Sequence, residues 1–186
     1  MPVLPIRYPL AIWKPLLNHS APGTIEQKRE IVLHVTDGPT LAGAIASFTN
    51  SVYPNRTSAH LIGDRDGSIT QLLDLRDTAW HADEANGFSI GIEHVALTEA
   101  GAASLNKKYA RQIAAGTQKP FVYMPATDAQ YESSARLVAW LCRLIKVPCD
   151  RAHVREHCEV DKSTTHALCC HGALDPDRLV TLARAF

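Results

Sequence analysis

The stretch Ile31-Val32-Leu33-His34-Val35-Thr36, running into Asp37-Gly38-Pro39-Thr40, decides the fold. The first five residues are rich in β-branched side chains, and a capping threonine with an early proline follows, which reads as strand, turn and then a helix carrying Leu41, Ile45 and Phe48 on one side. Alternation along a strand puts Ile31, Leu33 and Val35 on one face and Val32 and His34 on the other. His34 thus stands near a strand's end, opposite the most apolar face.

Outward from this point the pattern is one of short strands and helices. Residues 58–73, S-A-H-L-I-G-D-R-D-G-S-I-T-Q-L-L, read as two strands joined near Asp66-Gly67, a hairpin turn signal. Residues 89–95, S-I-G-I-E-H-V, form another strand, with Ile90 and Ile92 pointing one way and Glu93 the other. Thr127-Asp128-Ala129-Gln130 is a capping box opening a long helix in which Tyr131, Ala135, Val138, Cys142 and Ile145 recur at helical spacing until Pro148. A shorter helix is expected over 103–114 and a closing one over 177–183. Between 148 and 177 the chain shows little periodicity and many polar or ligand-type residues. No repeat, linker or low-complexity tract interrupts the chain, and 186 residues suit one domain.

Lys plus Arg and Asp plus Glu are equal at 19 each, so no overall field favours nucleic acid or an anionic membrane as partner. The start, M1-P-V-L-P-I-R-Y-P-L-A-I-W13, is apolar but repeatedly broken by proline, which fits neither a signal peptide nor a membrane span; it is expected to cover the domain surface. The expectation that follows is a cytoplasmic protein without integral membrane contact, whose action outside a cell requires lysis or a route without a classical leader. Five cysteines, at 142, 149, 158, 169 and 170, are odd in number and crowd toward one end, against a fully paired disulfide framework.

Histidine and cysteine carry the chemistry. There are nine histidines, and His34 is set against a late cluster, H157-C-E-V-D-K-S-T-T-H-A-L-C-C-H171. Ligand types so far apart meet only if the fold brings a strand end to a late loop, as in catalytic zinc sites with three protein ligands and one open position. His34 and His157 are the first two candidates; Cys169, Cys170, His171 and Asp175 compete for the third place. His153-Val154-Arg155-Glu156-His157 also fits H-x-x-E-H, in which two histidines one helical turn apart hold zinc, but no long amphipathic helix surrounds it. A structural zinc built from Cys158, Cys169 and Cys170 lacks any C-x-x-C pair. Gly-rich phosphate loops are absent from the sequence.

Several segments in order resemble the zinc-dependent N-acetylmuramoyl-L-alanine amidases of the type 2 family, which includes peptidoglycan recognition proteins, short phage amidase-lysozymes and anhydro-muropeptide amidases. The pieces are I31-V-L-H34, S58-A-H60 with R65-D-G67, A79-W-H-A82, S89-I-G-I-E93, T127-D-A-Q-Y131, and His157 with C169-C-H-G-A-L-D-P-D-R-L179, spread over roughly residues 29 to 182. The resemblance implies an α/β fold, a central mixed sheet flanked by helices, with residues 1–28 as an extension packed on a zinc amidase domain at 29–186. It implies one zinc held by His34, His157 and Cys169, with Cys170 and His171 standing where the family usually has proline and glycine. Glu93 matches the family's sheet glutamate, serving water as base or orienter. Ala167 replaces a lysine common two residues before the third ligand, and Lys162 or His166 is the stand-in for its oxyanion-stabilising charge. His60, Trp80 and His81 match positions at the substrate cleft or its support, and Thr165 the zinc-site loop. The implied activity is hydrolysis of the amide between N-acetylmuramic acid and L-alanine in peptidoglycan or muropeptides by a monomer, in a lytic, endolysin-like and antimicrobial role. The alternative is a recognition module that binds peptidoglycan without cutting it.

Overall fold

The computed structural model describes residues 4–17, 19–52, 54–161, 169–170 and 172–186. In chain order the strands are β1 (Ile12–Trp13), β2 (Ser20–Ala21), β3 (Glu30–Val35), β4 (Leu61–Gly63), β5 (Ile69–Gln71), β6 (Thr78–Ala79), β7 (Ser89–His94) and β8 (Val154–Glu156). The helices are α1 (Leu41–Asn50), α2 (Glu99–Lys108), α3 (Ala110–Ala114), α4 (Asp128–Ile145), α5 (His157–Val160) and α6 (Pro176–Ala183).

Six strands form one sheet in the order β1-β5-β4-β7-β3-β8, antiparallel only between β4 and β5; β2 and β6 pair separately. This is the mixed sheet expected from the sequence. It buries β3 and β7 at its centre, which explains why both read as apolar runs.

One face of the sheet carries Ile31, Leu33, Ile90 and Ile92 against Tyr131, Leu137, Val138 and Leu141 of α4 and Leu179 of α6. Each such aliphatic side chain contributes roughly 1.5–3 kcal/mol on leaving water. Helix α4 begins as expected: the Thr127 hydroxyl accepts from Gln130 N–H at 3.1 Å, and the Gln130 carboxamide oxygen accepts from Thr127 N–H at 2.9 Å. It ends where Lys146 takes a left-handed conformation, φ 59°, ahead of Pro148. Over the other face, Ala44, Ile45 and Phe48 of α1 pack with Ile62, Leu72, Leu73 and Val95.

Three elements depart from the sequence reading. The helix expected over 103–114 starts earlier, at Glu99 behind a Thr98 cap, and is broken at Tyr109 into α2 and α3. Residues 154–156, without visible periodicity, form edge strand β8, because pairing to β3 rather than an amphipathic pattern fixes them. The N-terminal segment contributes β1 to the sheet edge and buries Tyr8 in the core. Among the described residues no helix is long and apolar enough to cross a membrane.

Candidate metal centre

Because Ile31 and Leu33 take the α4 face, His34 must project from the other, and β7 lies in register beside it with His34 paired to Glu93. Strand β8, on the far side of β3, delivers His157 at the first turn of α5. The late loop returns Cys169 to the same point. Ligand atoms of His34, His157 and Cys169 all lie within 4.8 Å of one another, with Cys169 Sγ 3.8 Å from His34 Nδ1. Neighbouring Cys170 is turned the other way, into the core, where its thiol donates to the Leu33 carbonyl oxygen at 3.1 Å.

Two imidazoles and a sulfur form a donor set that could hold a metal ion, and their outer groups are engaged. His157 Nε2 lies 3.1 Å from Asp161 Oδ2, and His34 Nε2 lies 3.0 Å from His81 Nδ1. Such outer partners orient ligating histidines. The Cys169 pKa is held far below its ordinary value, chiefly by the adjacent Cys170 side chain; burial opposes this, and the nearby His157 and His34 rings add to it. A lowered pKa favours the thiolate, the form that ligates. Burial alone disfavours a charge on His157, yet the neighbouring Cys169 and Asp161 outweigh it and raise its pKa.

These residues line the floor of a cavity of about 890 Å³ whose wall includes Phe48, Pro54 and Trp80 and whose rim carries Asp37, Arg56 and Asp83. Two polar atoms facing this region are buried with no hydrogen-bond partner among the described residues: Glu93 Oε2 and Trp80 Nε1. Orphaned groups of this kind are costly unless something else satisfies them. Glu93 is pushed well above the ordinary carboxylate range, first by burial and then by the negative charges of Cys169 and Asp37.

The structure therefore brings together His34, Glu93, His157 and Cys169, with Trp80 and His81 along the same cavity. His60 is different. It is wholly buried, outside the cavity lining, with Nδ1 accepting from Gly91 N–H at 3.0 Å and Nε2 against the Asp77 carbonyl oxygen at 3.0 Å. Both ring nitrogens are committed to backbone, so His60 is a support beneath His81 rather than a ligand contact. Lys162 and Thr165 lie outside the described residues, as do His166, Ala167 and His171. The H-x-x-E-H alternative fails on geometry: Val154–Glu156 is a strand, so His153 and His157 do not share a helical turn. His153 instead bonds Asp150 at 2.7 Å. Asp161 escaped sequence reading, although a carboxylate four residues after a ligand histidine on a short helix was a legible signal.

The family profile described as N-acetylmuramoyl-L-alanine amidase matches residues 26–176. N-acetylmuramoyl-L-alanine amidase A of Achromobacter lyticus is 38% identical over 85 residues, 45% of this chain and 46% of that protein. The 1,6-anhydro-N-acetylmuramyl-L-alanine amidase AmpD of Haemophilus influenzae is 30% identical over 125 residues, 62% of this chain and 54% of that protein. The matched regions thus span about half the length of these curated relatives. Among solved structures, a selenomethionine AmpD derivative superposes with a TM-score of 0.65 at 22% identity, covering 95% of this chain and 96% of the other. The amidase LysC from Clostridium intestinale gives 0.64 at 15% identity, covering 94% and 97%. At these identities the superpositions establish the fold.

Proposed function

The chain belongs to the N-acetylmuramoyl-L-alanine amidase family, and from that premise we propose that it hydrolyses the amide joining N-acetylmuramic acid to L-alanine in peptidoglycan or muropeptides, with one zinc ion held by His34, His157 and Cys169. The observation that carries this reading is the convergence of three ligand-type side chains on the floor of a cleft that also holds a half-buried carboxyl, Glu93, one oxygen of which is buried with no partner among the described residues.

When bound, zinc would supply Lewis acidity toward the amide carbonyl and lower the pKa of a nearby water toward neutrality. The chain's own residues do the rest. Glu93, one strand from His34, takes the proton from the attacking water and hands it to the departing amine of L-alanine. Burial raises the Glu93 pKa and so makes its carboxylate a stronger proton acceptor. The apolar wall with Phe48 and Trp80 gives a sugar or peptide face a surface to stack on and helps to exclude water. Asp161 and His81 hold the two histidine rings in place.

Metal analysis of purified, chelator-free protein tests the reading: about one zinc per chain is expected, with amide hydrolysis abolished by a chelator and restored by added zinc. Protein that neither holds zinc nor gains activity from it would overturn the proposal.

A further inference from the structure

The side chain of His81 lies in the cleft, where it looks available to a substrate, but its surroundings assign it another task. The Ser89 Oγ to Ala85 carbonyl distance is 2.6 Å. Two oxygens that close repel unless a hydrogen lies between them, so the Ser89 hydroxyl donates to Ala85 and has only lone pairs to offer elsewhere. His81 Nε2, 3.1 Å from Ser89 Oγ, must then be the protonated nitrogen. A neutral imidazole protonated on Nε2 bears a bare Nδ1, and His81 Nδ1 is 3.0 Å from His34 Nε2. His34 therefore donates through Nε2 and turns Nδ1 toward Cys169.

The fold makes room for this chain of bonds. A Cβ on Gly91 would come within 2.7 Å of His81 Cγ and Nδ1, so the glycine in the middle of β7 lets the ring lie flat on the strand. The Asn86 side-chain oxygen accepts from the His81 and Ala82 backbone N–H groups at 2.8 and 2.7 Å, fixing the loop that carries the ring.

We infer that His81 is a positioning residue: one end of a directional relay, Ala85 carbonyl, Ser89 hydroxyl, His81, that places a proton on His34 Nε2 and so presents His34 Nδ1 to the cation. The inference rests on the metal reading above, and it goes beyond that reading by removing His81 from substrate contact.

Two measurements on the full chain test it separately. In metal-free wild type, long-range proton–nitrogen spectra should show His81 protonated on Nε2 and bare at Nδ1, and Ser89→Ala should redistribute that proton. A wild-type His81 protonated at Nδ1 would overturn the relay whether or not the protein binds zinc. By chelator competition, His81→Phe should bind zinc ~10- to 100-fold more weakly than wild type. His81→Asn, whose side-chain oxygen stands where Nδ1 was, should recover part of that loss. Ser89→Ala provides the same test with a single hydroxyl removed if the phenylalanine variant does not fold. Wild-type zinc affinity in His81→Phe or Ser89→Ala would reject the inference while leaving the zinc site intact; no zinc in wild type would reject the metal reading instead.

Discussion

His34 and Glu93 are paired in register on adjacent parallel strands, β3 and β7, so one backbone ladder sets a candidate ligand and the cleft's half-buried carboxyl at a fixed spacing. Glu93→Gln keeps the shape of that carboxyl and removes its ability to carry a proton. The variant should retain zinc and melt as wild type does, while turnover falls by about 10²-fold or more. Single-turnover hydrolysis alongside metal analysis checks both halves, and an unchanged rate would take Glu93 out of the reaction.

The two adjacent cysteines face opposite environments. Cys169 approaches His34, whereas Cys170 is fully buried and bonded to the Leu33 carbonyl. Cys169→Ala should therefore lose zinc and activity with the fold preserved. Cys170→Ala should keep zinc and lose of order 1 kcal/mol of stability from packing and a weak bond. Metal loss confined to Cys170→Ala would shift the third ligand by one residue.

The parts of the fold set by side-chain pattern were legible: the alternation in β3, the Asp66-Gly67 turn and the capping box of α4 all follow from local chemistry. Strand β8 was not, because its pairing with β3 is a tertiary contact and three residues carry no period. The site shows the same division. Side parity sets His34 and Glu93 each opposite the apolar face of its strand, the family resemblance assigns both to one site, and the β3–β7 register brings them side by side. His60 and His81, by contrast, are both histidines beside a cleft in sequence terms, and only the contacts to Gly91, Asp77 and Ser89 show how neighbouring protein groups engage their rings.

Acid should destabilise the metal-free protein through His60. Burial, and after it the charge of Lys28, depresses the His60 pKa to about 3, against bonding to the Asp77 carbonyl and the field of Asp74. The unfolded chain titrates this group near the ordinary histidine value of 6.5, so between pH 6.5 and about 3 it binds a proton that the folded chain refuses. The contribution to stability is fully present above 6.5 and is lost as pH falls, at up to ~1.4 kcal/mol per pH unit. Denaturant unfolding of chelator-treated protein at several pH values should show this slope. His60→Asn, which keeps an acceptor for Gly91 N–H, should reduce it by about one proton's worth, and an unaltered slope would place the acid sensitivity elsewhere.

The last prediction concerns the substrate. Zinc-loaded protein incubated with purified cell wall should release intact stem peptides beginning with L-alanine, without glycan cleavage, and mass spectrometry distinguishes this from muramidase or endopeptidase products. Soluble anhydro-muropeptide, offered separately, separates a lytic from a recycling role. We expect the wall to be preferred: by the family resemblance, Ala167 stands where a lysine is common two residues before the third ligand. A long substrate depends less on one such contact, because the cleft wall around Trp80 and Phe48 extends the surface that binding can use. Faster turnover of the anhydro-muropeptide would reverse the assignment. Binding to the wall without release of peptide from either substrate would leave a recognition module in place of an enzyme, and in that case Glu93→Gln should change nothing measurable.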